Sequence, residues 1–398
     1  MQLSEEIQIL IEQYISMPLA EIALKLQKYP ITVRTIVLDQ IHGIQKAKIK
    51  LPTYFQTKNI LYPPKLNIEQ CSSEQTAIFK SNLIQGKTLL DLTGGFGVDT
   101  WAFSKKFEQV DYVEQNESLV DIVSHNFEKL KVNNIQIHKS NAQIFLENFD
   151  RIVDWIYIDP ARRDSQNKAV AQIKETEPNI IELMPLIFEK TDNILLKTSP
   201  MFDIGQAIEQ LNFVKKVWVV SVENECKEVL YWLEKDFKNN DNIEIEAINI
   251  LANQNNQILK GTKLNEENTI VAYLAPQKYI YEPNTSIMKA GFFKIVAQVY
   301  SLSKLHPNTH LYTSNVLRQD FQGRIFEVVE VLQGNVALKD IQQLLPQRKA
   351  NIAVRNYPLT VEQIRKQTKI QEGGIEWILG MTLYDESKAL ILAKRILV

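Results

Sequence analysis

Between Leu66 and Pro276 the chain alternates apolar runs of strand length with amphipathic stretches of helical period, and this alternation constrains the fold more than any other feature. The runs are Thr88–Thr93, Val110–Glu114, Ile135–His138, Trp155–Asp159, Ile194–Lys197 and Val217–Val222. Among the stretches between them, Asn116–Lys131 spaces Leu119, Ile122, Val123, Phe127 and Leu130 as one face of a helix. Strands alternating with helices predict a parallel sheet covered on both faces. The later runs Ile243–Leu251 and Thr269–Leu274 flank the polar stretch Asn253–Asn268 and read as an antiparallel pair joined by a loop.

The flanks differ from this middle. Ser4 can cap a helix with Glu5 and Glu6 in its first turn and Ile7, Leu10, Ile11 and Tyr14 on one face. A second helix is expected from Ser16, with Pro18 in its first turn, and a third capped by Thr32 and running towards Lys48. Leu51-Pro52 and Tyr62-Pro63-Pro64 then break regular structure. After Pro276, Ile287–Leu302 reads as a helix and Gly323–Leu332 as a strand. Asn351–Arg355 followed by a helix over Val361–Lys369 suggests a compact α+β module. A chain of 398 residues is longer than one core usually serves, which agrees with several parts.

Composition narrows the class. No apolar run reaches the ~18 residues of a membrane span, and Met1-Gln2-Leu3-Ser4-Glu5-Glu6 lacks the layout of a secretory signal. Two cysteines, Cys71 and Cys226, make neither a disulfide framework nor a full zinc site. The expectation is a cytoplasmic protein that needs no metal. Net charge is −2, yet residues 277–398 hold 16 Lys+Arg against 10 Asp+Glu, a local balance of +6. A basic C-terminal part fits a nucleic-acid partner, and it equally fits ordinary solvated lysines.

Chemistry concentrates in Leu89-Leu90-Asp91-Leu92-Thr93-Gly94-Gly95-Phe96-Gly97-Val98-Asp99, where a buried strand enters a glycine-rich turn that opens a helix. Glycines at such a strand end let a ligand approach the backbone. A bare packing turn is the structural alternative, and a dinucleotide site is the functional rival. Gly95-Phe96-Gly97 supplies part of the dinucleotide fingerprint, but Thr100 stands where its third glycine belongs. Glu114 ends the next strand and can bind a ribose diol in either case. The downstream strand ends favour adenosylmethionine. Asn141 follows the third strand, where its carbonyl oxygen can accept from an adenine amino group. Asp159-Pro160 follows the fourth, offering a carboxylate and a stiffened carbonyl to hold a nucleophile in line with a sulfonium.

With these segments the chain resembles a bacterial family of class I methyltransferases with a C-terminal THUMP-like domain. The resemblance rests on Ser72-Ser73-Glu74-Gln75-Thr76-Ala77, Asp91–Asp99, Tyr157-Ile158-Asp159-Pro160-Ala161-Arg162-Arg163-Asp164 and Lys197-Thr198-Ser199-Pro200-Met201. Asn224-Glu225-Cys226-Lys227-Glu228, Tyr281-Glu282-Pro283-Asn284 and Thr309-His310-Leu311-Tyr312-Thr313-Ser314 extend it. It implies a Rossmann-like α/β methyltransferase domain over 66–276 behind a helical region, 1–65. A ferredoxin-like segment over 277–316 and a THUMP-like domain over 317–398 would form the α+β end.

The implied cofactor is S-adenosyl-L-methionine and the implied substrate RNA, a tRNA or rRNA base, since THUMP domains proper bind RNA. By the same resemblance Gln75 and Thr76 approach the methionine part, and Asp91 with Thr93, Gly94, Gly95 and Gly97 lines the methionyl and ribose portions. Glu114 holds the ribose and Asn141 the adenine. Asp159 and Pro160 serve the reacting group, and Arg162, Arg163 and Lys197 the substrate. One departure is Arg162, which stands where amino-directed base methyltransferases carry an aromatic residue; with Arg163 it could pair with phosphate. Asp-Pro-Ala-Arg is also similar to uracil-C5 methyltransferases, whose cysteine nucleophile Cys226 lacks the context to supply. His306 with His310 lacks a third metal ligand, and Phe292-Phe293 reads as core rather than a stacking platform. A catalytically silent RNA-binding protein and a small-molecule methyltransferase remain open alternatives.

Overall fold

The computed structural model describes residues 3–161, 172–238, 242–252, 254–333, 341, 343–345 and 347–397. The chain forms two compact units, Met1–Val214 with Tyr231–Lys238, and Lys215–Leu230 with Asn239–Val398.

The first unit begins with helices. Glu5–Tyr14 is capped by Ser4, whose hydroxyl accepts from the Ile7 amide. Leu19–Lys25 follows Pro18, and Ile31–Lys50 follows Pro30. Thr32 is therefore not the cap of the third helix. The rigid, extended Pro30 sits outside the first turn, and its carbonyl accepts from the Arg34 amide at 3.0 Å. Ile7, Leu10, Ile11, Tyr14, Ile22, Leu26, Val37 and Ile41 close into one small core. The end of the third helix joins a different core, in which Ala47, Leu51, Tyr54 and Tyr62 pack with Phe96, Trp101, Tyr112 and Phe127.

That second core covers the sheet. Its strands are β1 (Thr88–Asp91), β2 (Gln109–Glu114), β3 (Ile135–Lys139), β4 (Trp155–Ile158) and β5 (Asn193–Thr198). They lie in the order β3-β2-β1-β4-β5, and their described pairings are parallel. β1 and β4 are apolar on both faces, as strands between two helical layers must be. The order reverses at β1, so the carboxyl ends of β1 and β4 meet at a switch point, where open α/β sheets bind ligands.

The second unit carries most of β6 (Val214–Val222), then β7 (Glu225–Glu234), β8 (Glu244–Ile250) and β9 (Gln257–Thr262). The first residues of β7 belong here and Tyr231–Glu234 to the first unit. The periodicity gave no β7, although Val229–Leu233 is a strand-length apolar run. Glu223 and Asn224, both at positive φ, form the tight turn that joins it to β6. β8 pairs antiparallel with β9 rather than with Thr269–Leu274. The partner strand lies inside the polar stretch because an edge strand needs little apolar surface: Leu259 is buried while Ile258 stays exposed. Ile270, in the expected partner, is 94% exposed.

Also in this unit are β10 (Tyr279–Pro283), β11 (Ser303–Lys304), β12 (Tyr312–Ser314), β13 (Gly323–Gln333), β14 (Asn351–Arg355), β15 (Glu376–Thr382) and β16 (Lys388–Ile396). They form a seven-stranded sheet in the order β11-β12-β10-β13-β16-β15-β14. The single helix expected over Ile287–Leu302 is two, Thr285–Ala290 and Ile295–Tyr300, parted at Gly291, whose φ of 77° ends the first. Val361–Thr368 forms with a capping box at Thr360 and Gln363.

Candidate active site

The carboxyl ends of β1 and β4 open onto a cleft of about 300 Å³. It is lined by the turn from Thr93 to Asp99 together with Cys71, Ser72, Asp91, Tyr157 and Asp159. Asp91 ends β1 fully buried. Its Oδ1 accepts from the Thr93 amide at 3.0 Å and its Oδ2 from the Thr100 hydroxyl at 2.6 Å. Thr100, in the place of the third dinucleotide glycine, thus supplies a bond that glycine could not make. Burial pushes the Asp91 carboxyl up to about 7, against the lowering effect of those two bonds.

The turn is shaped by what stands behind it. A Cβ on Gly94 would lie 2.1 Å from a ring carbon of Tyr112, so that position admits only glycine. The Tyr112 hydroxyl donates to the Gly95 carbonyl at 2.7 Å and pins the turn from beneath. Gly95 has φ 53° and a Cβ there would have only the Thr93 carbonyl nearby, at 3.7 Å. Its outer side is therefore open. Glu114, at the end of β2, accepts from the Gly95 amide at 3.0 Å and the Asn116 amide at 2.8 Å.

Asp159 follows β4. Its amide donates to the Thr93 hydroxyl at 2.7 Å, which ties the two strand ends together. Its carboxylate is one third exposed and lies 2.5 Å from Lys197 Nζ at the end of β5. Behind this pair is a buried polar cluster. The Ser72 hydroxyl accepts from Lys197 at 3.2 Å and from Lys80 at 3.1 Å, and donates to Asp99 at 2.7 Å. Lys80, fully buried, pairs with Asp99 at 3.2 Å, and Tyr157 donates to Asp99 at 2.9 Å. Burial alone would raise Asp99, but Lys80 and Lys197, with the Ser72 and Tyr157 bonds, bring it below the ordinary carboxylate range.

Of the residues singled out in the sequence, Asp91, Thr93, Gly94, Gly95, Gly97 and Asp159 share the cleft. Lys197 reaches it through Asp159, and Glu114 touches it through Gly95. Pro160 is buried just beyond. Gln75 and Thr76 lie in the helix Glu74–Leu83 outside the lining, with the Thr76 hydroxyl bonded to the Ser73 carbonyl. Asn141 is exposed and its side-chain oxygen caps the next helix by accepting from the Ile144 amide at 2.8 Å. Arg162 and Arg163 lie outside the described residues. Ser72, Lys80, Asp99 and Tyr157 were not given roles from the sequence. A lysine about two turns into a helix reads as solvated, and only the fold reveals that Lys80 is fully buried.

Residues 73–201 match a family described as conserved hypothetical protein 95, residues 279–321 a ferredoxin-like domain, and residues 323–395 a THUMP domain-like family. The crystal structure named "putative methyltransferase from Porphyromonas gingivalis W83" is 31% identical, with all of both chains covered and a TM-score of 0.86. The chain belongs to the class I S-adenosylmethionine-dependent methyltransferases that carry a C-terminal THUMP-like domain. The expected α/β fold with its ferredoxin-like and THUMP-like end holds accordingly. A curated relative from Methanosphaera stadtmanae, named "Probable ribosomal RNA small subunit methyltransferase A", is 28% identical over 111 residues. That match takes in 28% of this chain and 38% of the relative, so the chain spans well under half of it.

The cleft of this methyltransferase suits a cationic ligand. Three carboxylates, Asp91, Asp99 and Asp159, line it; Lys80 pairs with Asp99 and Lys197 with Asp159, whereas the described partners of Asp91 are two neutral donors. The Cys226 thiol, half-buried, is pushed up by burial, the reverse of what a nucleophilic cysteine needs. His306 accepts from the Asn308 amide through Nδ1 and faces Glu386 through Nε2, and His310 stacks on Phe293 with ring centroids 3.6 Å apart. Among the described residues, no helix is long and apolar enough to cross a membrane, and no cluster of three or more His, Cys, Asp or Glu could hold a metal.

Proposed function

We propose that this enzyme methylates RNA, with Asp159 orienting the acceptor. The observation that carries the site assignment is the junction of Asp91, the open glycine turn and Asp159 in one cleft at the sheet's switch point. When bound there, S-adenosylmethionine supplies an electrophilic methyl group on a sulfonium. Asp91 would face the cofactor's α-ammonium, because a buried carboxyl raised by desolvation regains its ionised form beside a cation. Thr93, Gly94, Gly95 and Gly97 would admit its backbone-hugging portion, Glu114 the ribose diol, and Asn141 the adenine edge, with Gln75 and Thr76 on the methionine side. Asp159 and the Pro160 carbonyl would hold the acceptor in line, so that positioning supplies most of the rate.

The RNA assignment is supported by the +6 balance of residues 277–398, by the match to a THUMP domain-like family, and by the activity named for the archaeal relative. In this reading the helical region 1–65 buttresses the methyltransferase domain 66–276, and the parts 277–316 and 317–398 serve RNA in the cytoplasm. Arg162 and Arg163 would contact phosphate. The test offers tritiated cofactor with total RNA from cells lacking the gene, in parallel with free nucleosides, amino acids and small phenols. Labelled RNA, with RNA affinity falling as salt rises, is expected. Label confined to a small acceptor, with no RNA affinity at low salt, contradicts the RNA reading and leaves the methyltransferase assignment standing.

A further inference from the structure

We infer that the atom methylated is a hydroxyl oxygen, on RNA the ribose 2′-oxygen, and that Lys197 is a catalytic residue for it; this rests on the RNA reading above. The argument begins with what an ammonium can do. Protonated lysine has three donors and no acceptor. An amino-group nucleophile has one lone pair, which must stay free to attack the methyl carbon, so an ammonium aimed at it would block the reaction. A hydroxyl oxygen has two lone pairs. It can accept from an ammonium with one and attack with the other, and the ammonium then stabilises the negative charge that grows on oxygen.

The site holds such an ammonium. Lys197 Nζ lies 2.5 Å from Asp159, the carboxylate that ends β4 in the cleft. Its side chain is nearly nine-tenths buried, so the charge acts with little screening by water. The cluster behind it fixes its aim. Ser72 has one hydroxyl proton and donates it to Asp99, so it can only accept from Lys80 and Lys197. Lys80 and Tyr157 engage Asp99, on which the Lys197 charge also acts, and Asp159 lies within bonding distance of Lys197. Lys80, Asp99 and Ser72 are positioning residues in this account.

The chemistry balances. The acceptor oxygen forms a bond to the methyl carbon as the sulfur–methyl bond breaks, sulfur keeps that electron pair, and the hydroxyl proton passes to the Asp159 carboxylate. Asp159 is one third exposed and can return the proton to water. The sequence departure at Arg162 agrees with this reading, because an oxygen acceptor on the sugar needs no aromatic residue to stack a base.

Alkaline hydrolysis separates the possibilities. A 2′-O-methyl group removes the hydroxyl that cleaves the neighbouring phosphodiester, so label on ribose survives in alkali-resistant dinucleotides, whereas label on a base is released in mononucleotides. Total RNA from cells lacking the gene is labelled by the full-length enzyme with tritiated cofactor and then hydrolysed. Label in dinucleotides is expected. Label in mononucleotides overturns the hydroxyl assignment and leaves the RNA reading intact, and RNA without label overturns both. Lys197→Met should lower transfer by about 10²–10³-fold while S-adenosylhomocysteine affinity, which reports the folded cleft, stays within a few fold. Transfer unchanged in that variant also overturns the role of Lys197.

Discussion

Among the carboxylates that the two units bury, Glu282 in the second and Asp91 in the first are satisfied in opposite ways. In the second unit Glu282 on β10 is 4% exposed and held by two guanidinium groups, Arg355 at 2.5 Å and Arg324 on the other oxygen. Arg324 also lies over the Trp377 ring, 5.0 Å from its centroid. Both of its carboxylate oxygens thus face a cation of the same unit, the pairing that offsets the desolvation of a buried charge. In the first unit Asp91 is fully buried with a hydroxyl and an amide as its described partners, and its carboxyl rises to about 7. The difference separates structure from function. A buried carboxylate that lines a cleft and has no cation among its described partners is what the proposed cationic cofactor would complete.

Four changes test that contrast, beginning with the largest effect. Asp159→Ala should lower methyl transfer by about 10²–10⁴-fold and leave S-adenosylhomocysteine affinity within a few fold; unchanged transfer would reduce Asp159 to a turn residue. Glu282→Gln should destabilise the protein by about 1.5–3 kcal/mol in denaturant unfolding, because the carboxylate charge that the Arg355 hydrogen bond and the Arg324 ion pair rest on is lost. Equal midpoints for variant and wild type would show that the Glu282 cluster contributes nothing. Glu114→Ala should weaken S-adenosylhomocysteine by about 1.5–3 kcal/mol in calorimetry, and equal affinities would remove Glu114 from the ribose site. Asp91→Asn should do the reverse of Glu282→Gln and slightly raise the stability of the ligand-free protein at pH 8. Its amide can still accept from Thr93 and donate to Thr100. A loss of stability there would mean that the Asp91 charge is already compensated.

Much of this was legible in the sequence, for reasons particular to each element. The strands of the parallel sheet show because both faces are buried, so β1, β2, β4 and β5 read as apolar runs. The edge strand β9 did not show, because one buried leucine is enough to seat it. The glycine turn was visible as a pattern, yet the reason for Gly94 was not: it is the Tyr112 ring from the neighbouring strand. Asp91 and Asp159 were singled out from their places at strand ends, and both line the cleft. Lys80 and Ser72 were missed because their roles depend on how the helix Glu74–Leu83 and the residues leading into it are turned, and local spacing does not record that. Asn141 shows the converse, since the same side chain can read an adenine or cap a helix, and its oxygen is bonded to the Ile144 amide.

The central claim, that Asp91 awaits a cation, can be tested by titration. Asp91 has its ordinary value near 3.8 in the unfolded chain and about 7 in the fold. The fold therefore favours the neutral form, and the stability this contributes is fully present below pH 3.8 and lost as pH rises through 7. Ligand binding should run the other way, because only the ionised carboxylate pairs with the α-ammonium. Calorimetric Kd values for S-adenosylhomocysteine at pH 6 and pH 8 should differ by about tenfold in the wild type, tighter at the higher pH, and the difference should vanish in Asp91→Asn. Equal affinity at both pH values in the wild type, or the same pH dependence in the variant, would contradict the account.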